Sequence, residues 1–303
     1  MLHVLRTKLS HTIFLFSVIF VSLMSHSLTG QQIAQSNLYN FNLFNLSSSY
    51  AGLKEGYEIR LSHFNQWGGI ENAPVTNYIS AHGAATEKLG IGGRILYDQI
   101  GFMDQLSARA SFSYIVPLAD ADHNIRLGLS AGIYRLSFDF DEVVVEDPSD
   151  LLVDESNVGY TLDNEFSVLY FRENFHFTLS IPQIYQTSPG VNFGNVDVFS
   201  LKRHYLIYSS YLFDVGDKWK VQPSVLFKSV VGKLNQIDFN GLLTYDDVIS
   251  VGGSYRTHSG PIVNLGLNLG GVFIGGSYEM ALNNSSINSD SFQVMLGFSS
   301  FDK

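Results

Sequence analysis

Beyond its first thirty residues the chain alternates apolar and polar residues one by one, in stretch after stretch. A period of two dictates β-strands with one apolar and one polar face. Residues 105–116 are the clearest case. Leu106, Ala108, Ala110, Phe112, Tyr114 and Val116 fall on one parity, and Ser107, Arg109, Ser111 and Ser113 on the other. No run of eighteen apolar residues follows Met24, which excludes spanning helices. The alternative way to sit in lipid is a closed sheet in which every backbone donor and acceptor is paired.

The amino-terminal thirty residues have a different character. Arg6 and Lys8 precede an apolar run from Ile13 to Met24, and small and polar residues follow. That is the layout of a secretion signal, with cleavage after Ser27 or after Gly30. Residues 31–56 are then expected as a periplasmic amino-terminal segment and residues 57–303 as the β-barrel domain. Cleavage removes two cations and no anion, moving the formal charge from −10 to −12. The chain has no cysteine, which excludes a lipid-anchored terminus, disulfides and thiolate metal sites. Charged residues make up 15% of the chain, against roughly a quarter in soluble proteins. Aromatic residues reach 14%, which suits a membrane barrel. An acidic chain without basic clusters argues against nucleic acid as a partner.

Parity predicts fourteen strands, near 57–64, 76–82, 89–98, 105–117, 124–136, 160–171, 174–181, 203–213, 218–229, 236–245, 248–257, 261–269, 271–281 and 291–301. Their lengths cluster around the nine to eleven residues that a tilted transmembrane strand needs. The connections decide between a barrel and a soluble sandwich. Even-numbered connections are short, whereas the odd-numbered set holds the four longest, 65–75, 137–159, 182–202 and 282–290. Short turns on one face and long loops on the other are the outer-membrane pattern. It predicts an all-β transmembrane antiparallel barrel with both termini periplasmic. The last strand, with Phe292, Val294, Leu296 and Phe298 on one parity, resembles the terminal signal read by outer-membrane assembly machinery.

Several short motifs resemble the PorP/SprF family of the type IX secretion system in Bacteroidetes. Tyr50-Ala51-Gly52 matches the end of the family's Asn-Pro-Ala-Tyr-Ala-Gly; Ser47-Ser48-Ser49 departs from its start. Gln66-Trp67-Gly68-Gly69-Ile70, Ala73-Pro74 and Ser80-Ala81-His82-Gly83 resemble its most recognisable segment. Gly92-Gly93, Tyr97-Asp98, Ser180 to Gln183, Arg203-His204-Tyr205, Pro223 to Lys228 and Ser254-Tyr255-Arg256 continue the match in order. The resemblance implies an outer-membrane barrel working with the secretion machinery. It also implies a partner: a secreted cargo or gliding adhesin with a carboxy-terminal sorting domain. Periodicity alone predicts only a barrel, for which a passive porin or hydrophobic-solute channel is the alternative.

Three sets of residues stand out as candidate sites. Trp67, Ile70 and Pro74 form a partner-binding candidate through the resemblance, although an aromatic at a strand end also suits an interfacial girdle. The stretch 139–155 holds Asp139, Asp141, Glu142, Glu146 and Asp147 among eight acids and no cation. Such a stretch reads as a solvated surface loop or as a cation- or cargo-facing one, and its spacing is not that of an EF-hand. Glu58, Arg60, Arg94, Asp98, Arg109, Arg126, Arg256 and Glu279 share the lumen parity. They line a pore or, since buried charges need partners, pair across the lumen and plug it. Gly128-Leu129-Ser130-Ala131-Gly132 has the letters of Gly-x-Ser-x-Gly but lies inside the alternating stretch 124–136 and not at a strand-to-helix turn, so it is no nucleophile elbow, and no His-Glu-x-x-His motif occurs. The expectation is therefore a non-enzymatic protein without cofactor or firm metal site.

Overall fold

The alternating stretches become strands whose polar parity turns inward and whose apolar parity turns out. The computed structural model describes residues 36–118, 123–139, 158–193, 196–197, 199–230, 235–257, 259–282 and 289–300. The expected secretion signal and residues Asp141, Glu142, Glu146 and Asp147 lie outside the described residues. The first strands are β1 (Tyr57–Asn65), β2 (Val75–Ala84), β3 (Leu89–Ile100), β4 (Met103–Pro117), β5 (Asn124–Phe138), β6 (Val158–Arg172) and β7 (Phe175–Pro182). A separate small hairpin, β8 (Asn192–Phe193) and β9 (Val196–Asp197), interrupts them. The rest are β10 (His204–Tyr211), β11 (Phe213–Val215), β12 (Trp219–Val230), β13 (Gln236–Tyr245), β14 (Ile249–Arg256), β15 (Gly260–Leu269), β16 (Val272–Glu279) and β17 (Ser291–Ser299).

Consecutive strands pair antiparallel, β1 pairs with β17, and β10 pairs with β12. These pairings close the sheet. Counting β10 and β11 as one stave broken at Leu212 gives fourteen staves, each end within two residues of the sequence expectation. Closure leaves no unpaired edge, the condition for a sheet in hydrocarbon.

The outward side chains match that environment. Phe112, Leu129, Ile133, Leu162 and Leu265 are each more than half exposed. In water such a belt would forfeit about 25 cal/mol for every Å² of apolar surface, so lipid is its natural solvent. Aromatic side chains rim both ends of the belt. Tyr57, Trp219 and Tyr245 lie at one end, and Tyr160, Tyr255 and Tyr278 at the other. Trp219 and Tyr245 are cross-strand partners with ring centroids 4.7 Å apart.

One end of the barrel carries tight turns. Gly270 and Gly271, between the paired Leu269 and Val272, have φ of +60° and +95°, as a two-residue primed hairpin requires, and Asp246 and Asp247 have φ of +52° and +55° in the three-residue connection between Tyr245 and Ile249. The other end carries the long connections. Two features were not foreseen. Residues 36–56 do not stand apart from the barrel: they run through its interior as three 3-10 turns, Tyr39–Phe41, Leu43–Asn45 and Ser48–Tyr50, and reach β1 at the short-turn end. The connection 183–203 folds inward, packing Val191 and Leu201 on Tyr134 and Leu136 of β5.

Candidate functional site

The lumen is a groove shaped for one particular peptide, and the chain's own amino-terminal segment occupies it. The seat is cut by small residues in register. Ala84, Gly90, Ser113, Gly128 and Ser167 face one another across β2, β3, β4, β5 and β6. Over that row lie Ser48 to Gly52. A Cβ on Gly90 would sit 2.0 Å from the Ala51 carbonyl oxygen, and one on Gly128 2.3 Å from the Ser49 nitrogen. Only glycine permits so close an approach. Ser113 donates to Ala51 O at 2.6 Å, Ser49 N donates to Ser167 Oγ at 3.0 Å, and Tyr50 bonds Thr178 at 2.9 Å.

A second row supplies the charge. Gly297, Arg60, Ser80, Arg94, Arg109, Gly132 and Asp163 are successive cross-strand partners from β17 round to β6. Gly132 presents no side chain between Arg109 and Asp163, so the guanidinium Nε reaches the carboxylate at 3.5 Å. Gly297 similarly leaves room for the Arg60 head group. Arg94 bonds Glu165 at 2.7 Å with both side chains 1% exposed, and Arg109 reaches the same carboxylate at 3.4 Å.

These charges are aimed at main chain. Arg94 Nη1 donates to Phe44 O at 3.0 Å and Arg60 Nε to Phe41 O at 3.4 Å, while Ser48 N donates to Glu165 at 2.6 Å. Phe44 and Phe273 also lie against the guanidinium groups of Arg94 and Arg60, 4.9 and 4.7 Å from centroid to Cζ. Nearer the long-loop end, Arg256 pairs with Asp238 at 3.2 Å and with Glu279 at 3.2 Å. It also donates to the Asn37 side chain at 2.7 Å and to Ser36 O at 3.4 Å. Gln293 accepts from Asn37 N at 2.7 Å. Buried arginine satisfied by carboxylate and carbonyl together is the arrangement in which such charges are tolerated.

The segment divides the interior. A cavity of about 340 Å³ toward the short-turn end is lined by Leu43, Phe44, Tyr50, His82, His176 and Leu212. On its other side a space of about 60 Å³ lies among Asn45, Leu46, Asp98, Gln105, Asp163 and Gln183. Phe44 to Leu46 stand between the two.

The eight lumen-parity residues fare differently. Arg60, Arg94, Arg109, Arg256, Glu58 and Glu279 join ion pairs, Glu58 with Arg60 at 2.9 Å. Asp98 accepts from Thr76 at 2.5 Å, and Arg126 donates Nε to Ser113 at 2.9 Å, with no carboxylate beside it among the described residues. Glu165, Asp163 and Asp238 were missed by the sequence reading, and so was the occupying segment. Parity on β6 carried Asp163 and Glu165 to the lumen side, but only the register across three strands shows which arginines they meet.

Trp67, Ile70 and Pro74 share a loop at the long-loop end. Trp67 has φ +53°, uncommon for so bulky a residue. The loop is fastened to the connection before β17: Gly68 N donates to Asp290 O at 2.8 Å and Ser289 Oγ to Gly68 O at 2.5 Å. Asp290 also accepts from the Tyr278 hydroxyl and the Ala281 amide, which hold its carboxyl below the usual range. Pro74 is buried and Ile70 is 44% exposed. Asp139 is exposed, and its amide donates to Phe102 O at 2.8 Å. Among the described residues no three His, Asp or Glu side chains gather as a metal would need.

A family described as type IX secretion system membrane protein PorP/SprF matches residues 28–298. No curated protein is matched by the chain. Among solved structures, a deletion variant of TodX, a monoaromatic hydrocarbon channel, is similar with a TM-score of 0.55 at 10% identity, over 92% of this chain and 97% of its own. TodX is the toluene transporter of Pseudomonas putida. The Ralstonia pickettii toluene transporter TbuX is similar with a TM-score of 0.51 at 10% identity, over 91% of this chain and 96% of its own. At such identities the likeness is one of fold.

Proposed function

Because the chain belongs to the PorP/SprF family of type IX secretion membrane proteins, we propose that it is a closed outer-membrane adapter for a secreted cargo. It is an outer-membrane β-barrel and a component of that secretion system. The adapter presents its long loops outward to the carboxy-terminal sorting domain of a cargo or adhesin and keeps that cargo at the cell surface. Its short turns face the periplasm and meet the secretion machinery there, as the asymmetry of loop lengths supports. The loop that carries Trp67, Ile70 and the buried Pro74, together with Asp139, supplies part of the cargo-facing surface.

One observation carries this reading. The lumen is occupied by buried main chain from Leu38 to Ala51, and the connection 183–203 packs over the long-loop mouth. A solute channel needs a continuous path; an adapter needs a rigid platform. The likeness to hydrocarbon channels is one of fold at 10% identity, while the lumen here holds the chain's own segment. The family and fold are those of a secretion-associated barrel, not of an enzyme class.

The test is a deletion of the gene. Loss of a partner adhesin from the cell surface, with unchanged permeability to small dyes, is the expected result. Normal display of every such adhesin in the deletion strain overturns the proposal.

A further inference from the structure

We infer that the chain threads its own barrel, so that the amino terminus left by signal cleavage emerges among the long loops rather than at the short-turn end where β1 begins. The direction of the segment can be read from its partners. Ser36 and Asn37 bond to Arg256 and Glu279, the last residues of β14 and β16 at the long-loop end, and to Gln293, two residues into β17 from the same end. Tyr39 then meets Asn240 and Tyr208 at mid-height, and Phe44 meets Arg94. Ala51 and Gly52 reach Gly90, Gly83 and Ala84 beside the short turns, and Gly56 lies against Ser300. The path is a single descent from one mouth to the other.

Length, or crowding where length suffices, prevents a return. Cleavage after Gly30 leaves five residues, 31–35, ahead of Ser36, and cleavage after Ser27 leaves eight. Fully extended, five residues span at most ~18 Å, less than the apolar band of about 25 Å that such a barrel crosses. Eight residues span at most ~29 Å, but would have to double back beside a segment whose Leu38, Ser47, Ser48, Ser49 and Ala51 are already 0% exposed. Residues Gln31, Gln32, Ile33, Ala34 and Gln35 carry no charge. The threading is independent of the proposed function; only the statement that this mouth faces outward rests on it.

The absence of native cysteine makes the test direct. Single variants Ile33→Cys, Tyr185→Cys in the long connection and Asp247→Cys in a short turn are made in the full chain. Intact cells and opened cells are then treated with a membrane-impermeant maleimide. Ile33→Cys is expected to react under the same conditions as Tyr185→Cys and not with Asp247→Cys. Reaction of Ile33→Cys together with Asp247→Cys, or from neither face, overturns the inference. If Asp247→Cys reacts on intact cells and Tyr185→Cys does not, the outward orientation in the proposed function fails. The threading then still stands or falls on which reporter Ile33→Cys follows.

Discussion

Arg94 ties the barrel wall to the segment that fills it. It neutralises Glu165 at 2.7 Å, donates to Ser130 and holds the carbonyls of Phe44 and Asn45. Removing one partner of a buried pair strands the other, at a cost of about 3–5 kcal/mol. Arg94→Ala should therefore lower the thermal unfolding midpoint of the detergent-solubilised barrel by several degrees, read as loss of the compact, heat-modifiable band. Adding Glu165→Gln should restore part of the loss, because the stranded charge goes with it. A single variant as stable as the parent would show that the pair does not brace the lumen. Half of this pair was legible. Arg94 and Arg109 declared themselves by parity among glycines and serines. Glu165 did not, because a cross-lumen partner three strands away in register leaves no local mark.

At the scale of elements, the strands were legible to within two residues because each is bounded by the period-two rule and by turn residues such as Asp246-Asp247 and Gly270-Gly271. The lumen segment was not. Residues 36–53 have neither strand nor helix period, and their burial comes entirely from a wall that forms later in the chain. A signal was present nonetheless: residues 31–53 contain no charged side chain, yet hold Tyr39, Phe41, Phe44 and Tyr50. A solvated periplasmic segment has little reason for that composition. The seat gives an element-level prediction. Gly90→Val places a side chain where Ala51 O already lies within 2.0 Å of a Cβ position, whereas Gly253 on the outer face of β14 has nothing within 4 Å. Gly90→Val should make the segment accessible, seen as faster proteolysis near Lys54 in the detergent-solubilised barrel. Gly253→Val should leave the rate unchanged. Equal rates in the two variants would mean that the small-residue row does not seat the segment.

For the whole molecule, the question is whether the wall and its occupant are one stable unit or two. The wall closes by backbone pairing alone, through β1 with β17 and β10 with β12, and none of those bonds involves residues 36–52. Lumen side chains, by contrast, lose their partners if the segment is absent: Arg60 and Arg94 lose carbonyls, and Glu165 loses the Ser48 amide. Water entering the lumen can replace those bonds, at the cost of stability but not of closure. Deleting residues 36–52 should therefore leave a barrel that still migrates as a compact band but unfolds at lower temperature. In planar bilayers the parent should be silent and the deletion variant should pass ions, since the 340 Å³ cavity and the space beyond Leu46 would then merge. A silent deletion variant would assign closure to the connection 183–203 instead. Steady conductance in the parent would remove the observation on which the adapter reading depends and favour a channel.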